Sequence, residues 1–288
     1  MPRGDFLFSE KQLILSNIND RILCMYKPNE IVENYIATAK AKTGTKWYKT
    51  LVLAVLAGVY IAFAAVLATT ASAGFSGAPA ALIKGAVFPV GLILVVVCGA
   101  ELFTGNCLLV APTVGKKIRV RDLFKNWGIV YGGNLIGGVL LAVLVVYSHV
   151  MNDTVVAAAV ATAAAKSNMN FGDALLRGVL CNMLVCLAVW AAMASRSTVG
   201  KIVALYMPVF AFVVCGFEHS VANMYYLAAG LMTGAEYGIA ASGLTFGNAL
   251  AFCLIPSTIG NIIGGCLIAL AYHFVYSKKK AEGEEKAE

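Results

Sequence analysis

Long apolar runs, separated by short polar and basic segments, dominate the chain. Six of them cover about residues 48–71, 84–112, 123–148, 172–194, 200–234 and 247–276. At a helical rise of about 1.5 Å per residue, some 20 apolar residues cross a hydrocarbon core about 30 Å thick. The second and fifth runs are too long for plain spans. Gly, Pro, Ser, Thr and charged residues interrupt both. Backbone that leaves the helix at membrane depth must line a cavity or be buried in protein, so these two are expected to be broken helices. The pattern predicts an all-α membrane protein with six transmembrane helices.

Composition sharpens this expectation. The chain is 60% hydrophobic and 13% charged, whereas soluble domains carry about a quarter charged residues. The formal net charge of +7 does not point to nucleic acid, because the basic residues sit in short clusters between apolar spans. Nineteen Lys and Arg fall on one side of the expected membrane, against Lys84, Lys166 and Arg177 on the other. The positive-inside rule therefore predicts cytoplasmic N- and C-termini in an inner (plasma) membrane. The eight cysteines form no C-x-x-C pair and fall mostly within apolar runs, so they read as small buried side chains. No metal and no cofactor is expected.

Residues 1–27 read as a mobile N-terminal extension, residues 28–277 as the six-span channel domain, and residues 278–288 as a charged cytoplasmic tail. Between Pro28 and Ala41, Ile31, Tyr35 and Ala39 recur at helical spacing. That segment reads either as a helix lying on the membrane face or as an ordinary helical cap.

The chain also repeats itself. Gly99-Ala-Glu101-Leu-Phe-Thr-Gly-Asn106 and Gly216-Phe-Glu218-His-Ser-Val-Ala-Asn223 share the pattern G-x-E-x-x-x-x-N. Gly133-Asn-Leu-Ile-Gly-Gly138 and Gly260-Asn-Ile-Ile-Gly-Gly265 follow in the same order. Each half, about 48–148 and 172–276, holds three runs. An odd number forces opposite insertion, giving two inverted repeats whose broken helices meet near the midplane. The glycines of the second motif are expected to pack helices closely, with Asn134 and Asn261 satisfying carbonyls freed by the breaks.

Ionisable groups within a span are costly and face a cavity or a partner. Glu101 and Glu218 occupy equivalent repeat positions, and each is expected to tie down its own break by accepting backbone N–H bonds. His219 is the one histidine in a predicted break; it can donate to an anion and titrates near neutrality. Thr104, near the matching position of the other half, adds a hydroxyl. Lys166 stands alone as a cation in the outer loop from 149 to 171, either guiding anions inward or simply solvated.

At GAELFTGN, CNMLVCLAVW, GFEHSVANM and PSTIGNIIGG the sequence resembles the formate/nitrite transporter family over about residues 28–277. The resemblance implies an aquaporin-like fold, a homopentamer with one pore per protomer, and passage of formate, nitrite, hydrosulfide or related weak-acid anions. It implies Thr104 and His219 facing each other at the pore centre, with Asn182, Asn223 and Asn261 near the lumen and Lys166 in the outer vestibule. Leu102 is implied as the outer-side constriction, and Phe88, Leu92 and Phe212 as the cytoplasmic-side one. The family has Asp in place of Glu101 in some formate channels, so the motif leaves the cargo open among formate, nitrite and hydrosulfide.

The expected function is a channel for small weak-acid anions, formate first, with protons and the lipid bilayer as the other partners. Passage is expected to depend on pH, because an apolar neck penalises a bare charge far more than a neutral acid. An aquaporin-like pore for neutral solutes is the alternative, weakened by the lack of paired Asn-Pro-Ala motifs. No nucleophile, base and orienting group stand together, so the chain is not expected to be an enzyme.

Overall fold

The computed structural model describes residues 25–277. The mobile extension expected over residues 1–27 lies almost wholly outside the described residues, as does the tail from 278 to 288. The described part is helical throughout. It comprises α1 (Pro28–Gly44), α2 (Trp47–Ser72), α3 (Gly77–Val87), α4 (Val90–Val97), α5 (Phe103–Asn106), a 3₁₀ turn (Cys107–Leu109) and α6 (Val110–Val114). These are followed by α7 (Val120–Tyr147), α8 (Asp153–Ser167), α9 (Phe171–Ala194), α10 (Thr198–Val214) and α11 (Ser220–Glu236). The last, α12 (Phe246–Tyr276), carries a π-helical stretch at Ala249–Leu254. Pro256 explains that stretch, since it lacks an N–H and its ring crowds the carbonyl one turn back.

Five helices are long and apolar enough to cross a membrane: α2, the 21-residue run Gly77–Val97, α7, α9 and α12. The run expected over 200–234 is instead two helices, α10 and α11, of 17 residues each. The run expected over 84–112 likewise stops at Val97 and resumes at Phe103. Glycine ends the helix at both places. Gly99 has φ 75° and Gly216 φ 69°, the left-handed region in which a Cβ is strained. Ala100 N–H then donates to Val95 O at 2.8 Å, and Phe217 N–H to Phe212 O at 3.0 Å. These are the wrap-back bonds of a glycine-terminated helix.

Helix α8 lies in what the hydrophobic pattern reads as the outer loop. Its 15 residues are too few for a span, and Asn152 caps it by accepting from Val155 N–H at 3.0 Å. Helix α1 buries Ile31, Val32, Tyr35 and Ala39 and sets Tyr35 against Trp190 of α9, with ring centroids 6.4 Å apart. The helical spacing of those apolar residues therefore marks a face docked on the bundle.

The repeated glycines pack helices, as expected. A Cβ on Gly137 of α7 would run into Val55 O of α2, and one on Gly264 of α12 into Val179 O of α9. The backbones approach so closely because no side chain separates them. The two long pairs, α2 with α7 and α9 with α12, frame the core into which the breaks fold.

Candidate functional site

Each break is held by an asparagine from the G-N-x-I-G-G motif of the same half. Asn134 Oδ1 accepts from Phe103 N–H at 2.9 Å, while its Nδ2 donates to Ala54 O at 2.7 Å and Glu101 O at 2.9 Å. Asn261 repeats this geometry. Its Oδ1 accepts from Ser220 N–H at 2.9 Å, and its Nδ2 donates to Gly178 O at 2.8 Å and Glu218 O at 2.9 Å. A backbone group buried without such a partner costs about 1–3 kcal/mol. The amide side chain, with two donors and an acceptor, suits a splice between two helices and a loop.

The glutamates do different work from that expected of them. Their side chains bind ammonium and amide groups, not the backbone N–H groups of the breaks. Glu101 Oε1 lies 2.8 Å from Lys42 Nζ of α1, and its Oε2 accepts from Asn106 Nδ2 at 2.7 Å. Glu218 Oε2 lies 2.7 Å from Lys166 Nζ of α8 and accepts from Asn223 Nδ2 at 2.8 Å. A carboxylate only accepts, so once the asparagine of its own half has taken the backbone N–H, it pairs with a cation brought in by a short flanking helix. The ammonium of Lys166 is disfavoured by burial, but the Glu218 carboxylate outweighs that and raises its pKa above the ordinary lysine value.

The two breaks meet at Thr104 and His219. Thr104 Oγ1 lies 2.9 Å from His219 Nε2, and His219 Nδ1 accepts from Ala222 N–H at 3.1 Å, capping α11. An acceptor at Nδ1 assigns the proton of the neutral ring to Nε2, which donates to Thr104 Oγ1 and leaves the threonine O–H free to donate elsewhere. Asn182 Nδ2 donates to Thr104 O at 3.2 Å and to Asn261 O at 2.6 Å, so α9 ties the first break to the helix whose asparagine holds the second. Cys186 Sγ also approaches Thr104 O, at 3.5 Å. Thr104, Asn182, His219, Asn223 and Asn261 are all buried.

A cavity of about 410 Å³ leads to this point. Exposed Phe75, Ser76 and Gly77 lie at its mouth; Phe88, Phe212 and His219 are its buried walls. Phe212 stacks on His219 at 5.9 Å between centroids, and Phe88 meets Phe212 edge-on at 6.0 Å. Lys84, Lys166 and Glu218 also line the cavity. Phe88 and Phe212 therefore belong to the Lys166 side. This corrects the expectation that set them with Leu92 on the side away from Lys166. Leu92 and Leu102 are buried but do not line this cavity.

Lys42, Asn106 and Lys84 escaped the sequence reading as site residues. Asn106 closes the first G-x-E-x-x-x-x-N motif and so carried a usable signal. Lys42 was hidden among the other N-terminal cations, and its partner lies 59 positions away.

An all-helical bundle with five helices of membrane-crossing length, closed around a buried polar step beneath a cation-lined cavity, defines a multi-pass helical membrane protein. The Formate/nitrite transporter family profile matches residues 29–275. The chain is 38% identical over 275 residues to the "Probable formate transporter" of Methanothermobacter thermautotrophicus, covering 88% of this chain and 97% of that protein. It is 39% identical over 249 residues to the "Formate channel FocA" of Escherichia coli (strain K12), covering 80% and 87% respectively. Its fold matches that of a "Pentameric formate channel with formate bound" with a TM-score of 0.73 and 35% identity, over 81% of this chain and 98% of the other. The chain belongs to the formate/nitrite transporter family.

Proposed function

We propose that the protein is a homopentameric channel for small monovalent weak-acid anions, with formate as the first candidate and nitrite or hydrosulfide as further cargo. The observation that carries this reading is the Thr104–His219 contact at 2.9 Å beneath a cavity lined by lysines. Each protomer contributes six membrane passes, with α10 and α11 together making the fifth. Its two halves enter the membrane with opposite polarity, and both termini face the cytoplasm of a cell bounded by the inner membrane. The matching bonds of Asn134 and Asn261, and of Glu101 and Glu218, support the repeat. The formate-bound pentamer supports both the cargo and the assembly.

The anion enters by the Lys166 cavity and sheds water at the Phe88–Phe212 collar, where an unpaired charge is costly. At the polar step the free Thr104 hydroxyl, and Nε2–H of His219 as it exchanges partners, donate to the cargo. A proton arriving from bulk neutralises it for the apolar stretch at Leu92 and Leu102. His219 serves best as a donor in its neutral form, because a second proton at Nδ1 displaces the Ala222 cap and puts a cation at a helix N-terminus.

The test is uptake into proteoliposomes of formate, nitrite, hydrosulfide and, for contrast, glycerol, as a function of pH. Formate uptake rising as pH falls, with no glycerol uptake, is expected. Glycerol swelling without anion flux refutes the reading. His219→Phe removes the Nε2–H donor and is expected to lower formate uptake across the pH range, and an unchanged rate removes the histidine from the mechanism.

A further inference from the structure

We propose that Lys84 supplies the net positive charge of the entry cavity and makes the first contact with the incoming anion. The inference rests on the anion-channel reading above and adds a residue to it. Three charged side chains line the cavity: Lys84, Lys166 and Glu218. Lys166 is committed to Glu218 at 2.7 Å and sits over the Tyr226 ring at 5.4 Å. That pair sums to no net charge. Among the described residues the Lys84 ammonium takes part in no ion pair or hydrogen bond, so it is the surplus charge.

Placement agrees with charge. Gly77, Ala80, Ala81, Lys84 and Phe88 all line the cavity, and their spacing of three and four puts them on one helical face. Lys84 stands one turn above the Phe88 collar and below the exposed mouth at Phe75–Gly77. It is half-buried, where low-dielectric walls strengthen and focus its field on a small anion. Ser76 and Thr162 bring hydroxyl donors to the same cavity. This chemistry suits a small monovalent carboxylate or an inorganic anion of similar size. The cation of the other break is arranged differently: Lys42 is engaged by both Glu101 and Asn106, at 2.8 and 3.1 Å.

The experiment compares wild type, Lys84→Gln and Lys84→Arg in proteoliposomes, measuring initial formate uptake against formate concentration and ionic strength. Size-exclusion profiles check that each variant assembles, and 13C-formate binding to solubilised protein is read in parallel. For Lys84→Gln the half-saturating concentration is expected to rise about three- to tenfold, with a weaker salt dependence and maximal flux nearly unchanged. Lys84→Arg is expected to restore both. Wild-type half-saturation and salt dependence in Lys84→Gln, or Lys84→Arg behaving like Lys84→Gln, overturns the proposal while leaving the channel reading intact. A wild type that neither passes nor binds formate, nitrite or hydrosulfide overturns both.

Discussion

Lys166 Nζ and Glu218 Oε2 meet at 2.7 Å, joining a short helix from the connection between the two repeat halves to the break of the second half. The pair is largely withdrawn from solvent, with 16% and 6% of the two side chains exposed. Removing one partner leaves an uncompensated charge. Lys166→Met or Glu218→Gln is expected to lower stability by about 3–5 kcal/mol. The double variant should lose clearly less than the sum, as read by thermal unfolding in detergent. Because the pKa of Lys166 is raised, its contribution is fully present below the ordinary lysine value of 10.5 and is lost as pH rises through the folded value. Lys166 should therefore contribute no slope to stability between about pH 6 and 8.

The asparagine splices should be equivalent in cost. Asn134→Ala strands one amide N–H and two carbonyls, and Asn261→Ala strands the matching set. Each is expected to lose roughly 2–4 kcal/mol, at or above the penalty for a single buried unsatisfied group. Replacement by Asp keeps the acceptor, removes both donors and places a carboxylate near carbonyl oxygens, so it should be worse than Ala. Thermal shifts of the four variants check the ordering.

Close helix contact at the repeated glycines predicts a further pair. Gly137→Ala and Gly264→Ala each force a methyl group against a facing backbone carbonyl. Overpacking of this kind costs about 1–3 kcal/mol. Gly128→Ala, with open space around it, is the control and should be neutral or slightly stabilising, since alanine favours the helix.

At the polar step, Thr104→Val keeps shape and removes the hydroxyl that partners His219 Nε2. Loss of one hydrogen bond corresponds to a fall in formate flux of up to about tenfold. Thr104→Ser should retain most of it. Widening the collar by Phe88→Ala or Phe212→Ala is expected to raise the leak of larger anions relative to formate, checked by acetate and lactate uptake.

Much of this was legible in the sequence. Apolar runs marked the helices, and the two G-x-E-x-x-x-x-N motifs marked both places where helices stop, because glycine termination is a local backbone property. The facing of His219 and Thr104 was implied by the family resemblance rather than by counting, which sets Leu102 opposite His219 in the two motifs. Side-chain partners were not legible. Whether Glu101 and Glu218 bind backbone or lysine depends on which group reaches them first, and Lys42 and Lys166 arrive on helices whose docking no linear spacing encodes. The collar was misplaced for the same reason: Phe88 and Phe212 lie 124 positions apart, and only packing shows that they share a wall with Lys166.

Each level of the proposed passage is shared between the halves of the chain: Phe88 with Phe212 at the collar, Thr104 with His219 beneath it. Neither half owns a complete ring or a complete polar step. On the proposed reading, a small sliding of one half against the other loosens both contacts together, so that width and chemistry change as one variable, and a half expressed alone offers no conduit.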